Sequence, residues 1–236
     1  MALAAPSAAA VARRAPAAGL KAMIDRRLAC LEAMGIEAWS LRNAPAARLP
    51  ASGPEWAALE AAVSGCMLCP LHVSRTQTVF GVGNRDADWM IIGEAPGMEE
   101  DRRGEPFVGR AGRLLDAMLH AAGFARDDVF IANILKCRPP RNRDPRPEEA
   151  AQCAPYLARQ IQLVAPRLIL AVGRVAAQQL LGTDAPVGRL RGRVHRLAAP
   201  DVPVVVTYHP AYLLRSPREK RKAWDDLRLA RRAAST

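Results

Sequence analysis

Four thiols stand at spacings that suit a metal centre. Cys66 and Cys69 form a Cys-x-x-Cys turn followed at once by Pro70, and Cys137 and Cys153 lie far downstream with fifteen residues between them. Two cysteines so close reach one metal from a single tight turn. Two further thiolates complete four-fold ligation of zinc or of a cubane iron–sulfur cluster. Spacing does not separate those metals. A Cys-x-x-Cys pair alone suits a redox dithiol or buried structural cysteines equally well, so Cys137 and Cys153 carry the argument. The fifth cysteine, Cys30, stands apart near the amino terminus, and an odd count in 236 residues argues against a disulfide framework.

The elements that must position such groups are read from hydrophobic period. Short apolar runs at 88–93, 129–133, 167–173 and 203–208 read as strands. Helical patterns at 112–122, 148–164, 175–181 and 217–229 separate or follow them, the second starting after Pro147. This alternation predicts an α/β fold, a three-layer α/β/α sandwich around a mainly parallel four-stranded sheet. In such sheets functional groups collect beyond the carboxyl ends of the strands. The segments at those ends are Gly93 to Gly97, Asn133, Gly173-Arg174 and His209-Pro210.

Residues 1–55 form an Ala/Pro-rich leader with a helix expected over 20–34 and a linker punctuated by Pro45, Pro50 and Pro54. The catalytic-size domain is expected over 56–230, with a tail over 231–236. The leader has Arg13 and Arg14 but no long apolar heart, so it does not read as a secretory signal. Its composition also suits an organelle transit peptide, and the expectation taken here is a flexible bacterial-type extension on a cytoplasmic protein. No apolar run approaches the roughly 18 residues of a membrane span. A formal charge of +11 and a pI near 10.3 suit a polyanionic partner such as nucleic acid, or simply a basic solvated surface.

Several segments together resemble one family. They are Cys66-x-x-Cys69-Pro70; Gly93-Glu94-Ala95-Pro96-Gly97; Gly104-Glu105-Pro106-Phe107-Val108-Gly109-Arg110; Asn133-Ile134-Leu135-Lys136-Cys137-Arg138-Pro139; Asn142-Arg143-Asp144-Pro145; and His209-Pro210-Ala211-Tyr212-Leu213-Leu214-Arg215. In order and spacing, from about Cys66 to Trp224, the series resembles the family-four uracil-DNA glycosylases. The resemblance implies a 4Fe-4S cluster on Cys66, Cys69, Cys137 and Cys153, with a structural role. It also implies that uracil is flipped out of single- or double-stranded DNA, read in a tight pocket and hydrolysed from its sugar by a monomer.

Carried onto this sequence, the resemblance makes Phe107 the stacking aromatic, expected to be exposed in its Gly-rich loop. Asn133 presents one acceptor and two donors, which meet uracil N3–H and O4 together and mismatch cytosine. Backbone around Glu94 and Ala95 adds contacts to the base. His209 donates to uracil O2, where charge grows as the bond breaks. The family's relatives use an aspartate where this chain has Ala95, which leaves the water-positioning residue open: Asn142 comes first, with Glu94 and Glu100 behind it. Arg110, Arg138, Arg143 and Arg215 are expected on phosphates, and Leu213 or Leu214 as a wedge in the base stack. The rival readings are a glycosylase for another deaminated base such as hypoxanthine, a covalently DNA-trapping relative, a zinc-stabilised nucleic-acid module without catalysis, and a small electron carrier. The loop from Arg138 to Pro147 holds no histidine, which argues against the trapping relative.

Overall fold

A computed structural model describes residues 54–234. The expected leader, with its helix and Cys30, lies outside the described residues. The chain opens with helices α1 (Pro54–Ser64) and α2 (Leu71–Ser74), then strands β1 (Val82–Gly83) and β2 (Trp89–Gly93). Helices α3 (Met98–Arg103) and α4 (Arg110–Ala121) lead to β3 (Phe130–Asn133). The long helix α5 (Pro147–Val164) leads to β4 (Leu168–Val172), followed by α6 (Arg174–Leu181) and α7 (Val187–Leu190). Strands β5 (Val194–Leu197) and β6 (Val202–Thr207) precede α8 (Pro210–Arg215) and α9 (Lys220–Ala234).

The sheet order is β1-β3-β2-β4-β6-β5. The four expected strands form its parallel centre, in the register Gly93 beside Asn133 and Val172 beside Thr207. Two short antiparallel strands, β1 and β5, flank it. They lack an apolar run: β5 alternates exposed and half-buried residues as an edge strand does, so periodicity passes over it. The expected helix over 217–229 is a 3₁₀ turn at Pro217–Glu219 followed by α9, which continues to Ala234, past the expected domain end at 230.

Each central strand is buried on both faces, and alternate residues feed two cores. Met90, Ile92, Phe130, Ala132, Ile169 and Val204 pack with Leu157 and Ile161 of α5 and Ala176 of α6. Trp89, Ile91, Ile131, Leu170 and Val205 pack with Leu115 and Leu119 of α4 and Leu227 of α9. Period-two strands sandwiched between amphipathic helices give the three layers. Chain order β2, β3, β4, β6 becomes spatial order β3-β2-β4-β6, so the direction of winding reverses between β2 and β4. A crevice at that reversal, outside the carboxyl ends, is where ligands bind in open α/β sheets.

Candidate active site

The cleft at that crevice has a volume of about 790 Å3 and is lined by all four strand-end segments, among them Glu94, Asn133, Gly173 and His209. Gly93, the last residue of β2, is the pivot. A Cβ there would lie 2.5 Å from Asn133 Oδ1 and 2.5 Å from Phe107 Cζ. Both side chains therefore converge over a bare backbone, and only glycine leaves room for them. Gly93→Ala is expected to displace the pair and lower kcat/KM about 100-fold. Steady-state kinetics check this; an alanine variant at wild-type rate would show that the convergence is irrelevant to turnover.

Phe107 sits at φ 55°, a conformation that strains a bulky residue by about 1–3 kcal/mol. Neighbours impose it. Glu100 Oε1 accepts from the amides of Val108 (3.0 Å) and Gly109 (3.1 Å), and Oε2 accepts from Gly97 (3.1 Å). Gly112 admits the turn, since a Cβ there would stand 1.8 Å from the Phe107 carbonyl oxygen. The turn folds the ring inward, so the expected exposed aromatic is instead 6 % exposed, one part in the α4–α9 core and one part on the cleft. Its ring stacks toward His209, with centroids 5.6 Å apart and planes 29° from parallel.

Asn133 ends β3 and is 3 % exposed. Its backbone is held from behind: the buried Lys136 ammonium donates to the Asn133 carbonyl (2.9 Å) and to Gln160 Oε1 (2.6 Å). Burial pushes that lysine down to about 8. The Asn133 carboxamide itself has no hydrogen-bond partner among the described residues, although it borders the cleft. The amide thus faces the cleft, where a ligand can engage it.

His209 caps α8. Its Nδ1 accepts from the Ala211 amide (3.1 Å), so Nδ1 carries no proton and the neutral ring is protonated at Nε2. Burial, reinforced by Arg215 and opposed by Glu100, lowers its pKa to about 4. Gly173, at φ 96°, makes the space: a Cβ there would lie 2.9 Å from His209 Cβ.

Around the rim the sequence expectations divide. Glu94 and Asn142 line the cleft; burial, then Asp144, raises the Glu94 carboxyl, and Asn142 Oδ1 accepts from Arg138 Nε (2.7 Å). Ala95 and Arg215 line it too. Glu100 lines the cleft as well, and both its carboxylate oxygens accept from backbone amides, so it braces the loop. Arg143 also lines the cleft, with its guanidinium clamped to the buried Glu149 through two bonds of 2.6 and 2.9 Å. Leu213 is fully buried, pointing from α8 into the protein, and cannot wedge into DNA as placed; Leu214, 37 % exposed, keeps that candidacy. Arg110 is exposed. Sequence reasoning missed Gly93 and Gly173 as clearance positions and Tyr208 as a lining residue. A strand-terminal glycine was the available signal for the first two.

The cysteines meet at a second cavity, below the Lys136 backbone, lined by Cys66, Cys69, Cys137 and Cys153. All four are free thiols. The Lys136 amide donates to Cys153 Sγ (3.2 Å) and Arg75 Nη1 to Cys137 Sγ (3.0 Å). Among the described residues no three His, Cys, Asp or Glu close on a point that would hold a single metal ion.

These features have known counterparts. A model of the Uracil DNA glycosylase superfamily matches residues 80–228. The type-4 uracil-DNA glycosylase of Archaeoglobus fulgidus is 42% identical over 172 residues, which is 70% of this chain and 86% of that protein. That of Thermotoga maritima is 45% identical over 156 residues, 65% of this chain and 80% of that protein. A type-5 uracil-DNA glycosylase of Pyrobaculum aerophilum is 31% identical over 182 residues, 63% of this chain and 79% of that protein. A three-layer sheet with an aromatic, an amide and an imidazole at its switch point is the architecture of a base-excising hydrolase. The chain belongs to the Uracil DNA glycosylase superfamily and, within it, to the type-4 uracil-DNA glycosylases.

Proposed function

We propose that this protein hydrolyses the N-glycosidic bond of uracil flipped out of DNA, leaving an abasic site for base excision repair. The observation that carries the reading is the unpartnered Asn133 carboxamide beside the Phe107 ring in a cleft closed by His209. Phe107 offers the stacking face. Asn133 accepts from N3–H and donates to O4. His209 donates Nε2–H to O2. When the N1–C1′ bond breaks, its electron pair goes to the ring and O2 gains negative charge, so this donor binds the transition state better than the ground state. Water adds to C1′ and its proton is lost toward the rim. Asn142 fits that water through its amide hydrogens, because its oxygen is already held by Arg138. Glu94 lies at the same mouth as the acceptor. Backbone at Ala95 supplies further contact to the base, and Arg110 and Arg215 meet phosphates, a sequence-independent grip that weakens steeply with salt.

The donor set fits a 4Fe-4S cluster held by Cys66, Cys69, Cys137 and Cys153: four free thiols lining one cavity, with two N–H donors aimed at sulfur. When bound, the cluster supplies a tie between the α1–α2 turn, the loop after Asn133 and α5. No helix among the described residues is long and apolar enough to cross a membrane.

The test is uracil release from a single-stranded oligonucleotide by purified protein that absorbs near 400 nm and contains iron and sulfide. No release from any uracil-containing DNA defeats the function. A colourless zinc protein defeats the cluster. Cys153→Ala is expected to lose the absorbance and about 10 °C of thermal midpoint, since a protein of this size shifts roughly 2–4 °C per kcal/mol. An unchanged melting curve would remove the structural role.

A further inference from the structure

We propose that the part of the cleft walled by Tyr208 and Tyr212 is a second base-binding subsite, which stacks the nucleotide next to the flipped one on the same strand. This rests on the reading that Phe107, Asn133 and His209 hold uracil. Those three residues enclose one pyrimidine ring, and a cleft of about 790 Å3 is in the range that holds whole drug-sized ligands, roughly 300–1,000 Å3. Most of its volume is therefore left to something attached to that base.

The two tyrosines have no other evident task. Their rings are 5.0 Å apart and tilted by 36°, both line the cleft, and both are partly exposed. Neither belongs to the two packed cores. Tyr208 is braced from one side, where the Arg191 guanidinium lies over its ring at 5.7 Å. Tyr212 rests on Tyr208, and its own hydroxyl has no partner among the described residues. A braced aromatic carrying a second, half-free aromatic is a platform, and every base has a π-face to lay on it.

The chain path agrees. Tyr208 immediately precedes His209 and Tyr212 follows it by one helical turn in α8, so the platform adjoins the uracil pocket. Gly188 of α7 closes the same lobe, a Cβ there being 3.9 Å from the Tyr208 hydroxyl. Arg189 and Arg215, in α7 and α8, are exposed and without ion-pair partners among the described residues. They supply positive charge beside the lobe, suited to the phosphate that joins the two nucleotides.

The experiment pairs protein and substrate changes. Wild type, Tyr212→Ala and Tyr212→Phe act on a single-stranded oligonucleotide with one uracil. They then act on versions carrying a base-less spacer immediately 5′ or 3′ of it. Tyr212→Ala is expected to raise KM about tenfold or more, with most of the effect outside kcat, while Tyr212→Phe stays near wild type. A spacer on one side should raise wild-type KM similarly, and Tyr212→Ala should then add nothing. The proposal is overturned if both spacers leave wild-type KM unchanged. It is equally overturned if Tyr212→Ala loses as much on the spacer substrate that raises wild-type KM as on the intact one, or if its loss lies in kcat, as a mere support of His209 would give. A wild type that releases no uracil defeats the functional reading instead. Fluorescence anisotropy of uracil-free oligonucleotides with the same variants and spacers then decides the subsite by itself.

Discussion

Replacing His209 by alanine is expected to lower kcat for uracil release about 100- to 1,000-fold while KM changes far less. Removal of one preorganised donor from a developing oxyanion costs about 2.7–4 kcal/mol, and the effect falls on kcat because the charge exists only as the bond breaks. The geometry sharpens this. The Ala211 amide occupies Nδ1, so the single ring proton faces the cleft on Nε2 without any reorganisation. The sign of the pH dependence follows. The folded pKa is about 4, below the 6.5 of a free histidine, so between those values the unfolded chain binds the extra proton and the folded one does not. The stability contributed by the neutral ring is present above about pH 6.5 and is lost as pH falls through 4. Protonated Nδ1 would set a donor against the Ala211 amide and push α8 away. With respect to this residue, kcat should stay flat from pH 5 to 8 and decline below about 4. A single-turnover rate profile checks it; a His209 titration near 6.5 with rate falling in step would contradict the buried neutral donor.

Why so much of this site was legible in the sequence has a physical answer. The parallel centre of the sheet is buried on both faces, so β2, β3, β4 and β6 are continuous apolar runs whose ends are visible as Gly93, Asn133, Gly173 and His209. Strand ends locate ligands in this architecture, and the residues found there are the ones that line the cleft. What stayed hidden depends on side-chain direction. Leu213 and Leu214 are neighbours in one helix, and only three-dimensional placement decides that the first faces inward. Arg143 looks like any loop arginine until Glu149, six residues on at the start of α5, proves to be its buried partner. Phe107 turns inward because Glu100 and Gly112, on either side in sequence, force a left-handed residue between them. The edge strands escaped because an edge needs no apolar pattern.

Asn133→Ala is expected to lower kcat/KM for uracil about 100-fold and to erase the discrimination between uracil and cytosine. Two neutral hydrogen bonds contribute about 1 kcal/mol each, and the uracil N3–H and O4 left unpaired in a closed pocket add a similar penalty. Selectivity needs the amide held in one orientation, and here its backbone is fixed three ways. β3 pairs Asn133 with Gly93, the Ile134 amide donates to the Gly93 carbonyl, and Lys136 grips the Asn133 carbonyl. The bare backbone at Gly93 leaves the space that Oδ1 occupies, so any side chain there would displace the amide. Asn133→Asp separates charge from shape. At neutral pH its carboxylate accepts from N3–H but confronts O4 with a second negative oxygen, so uracil release should fall below that of the alanine variant. As pH drops and the carboxyl gains a proton, it regains one donor and one acceptor that can match uracil or, turned over, cytosine. Release of both bases by Asn133→Asp should therefore rise toward acid, above the range where His209 begins to protonate. Competition assays on oligonucleotides with uracil or cytosine at one position read this directly. An alanine variant that still rejected cytosine as wild type does would move base selection to the backbone around Glu94 and Ala95.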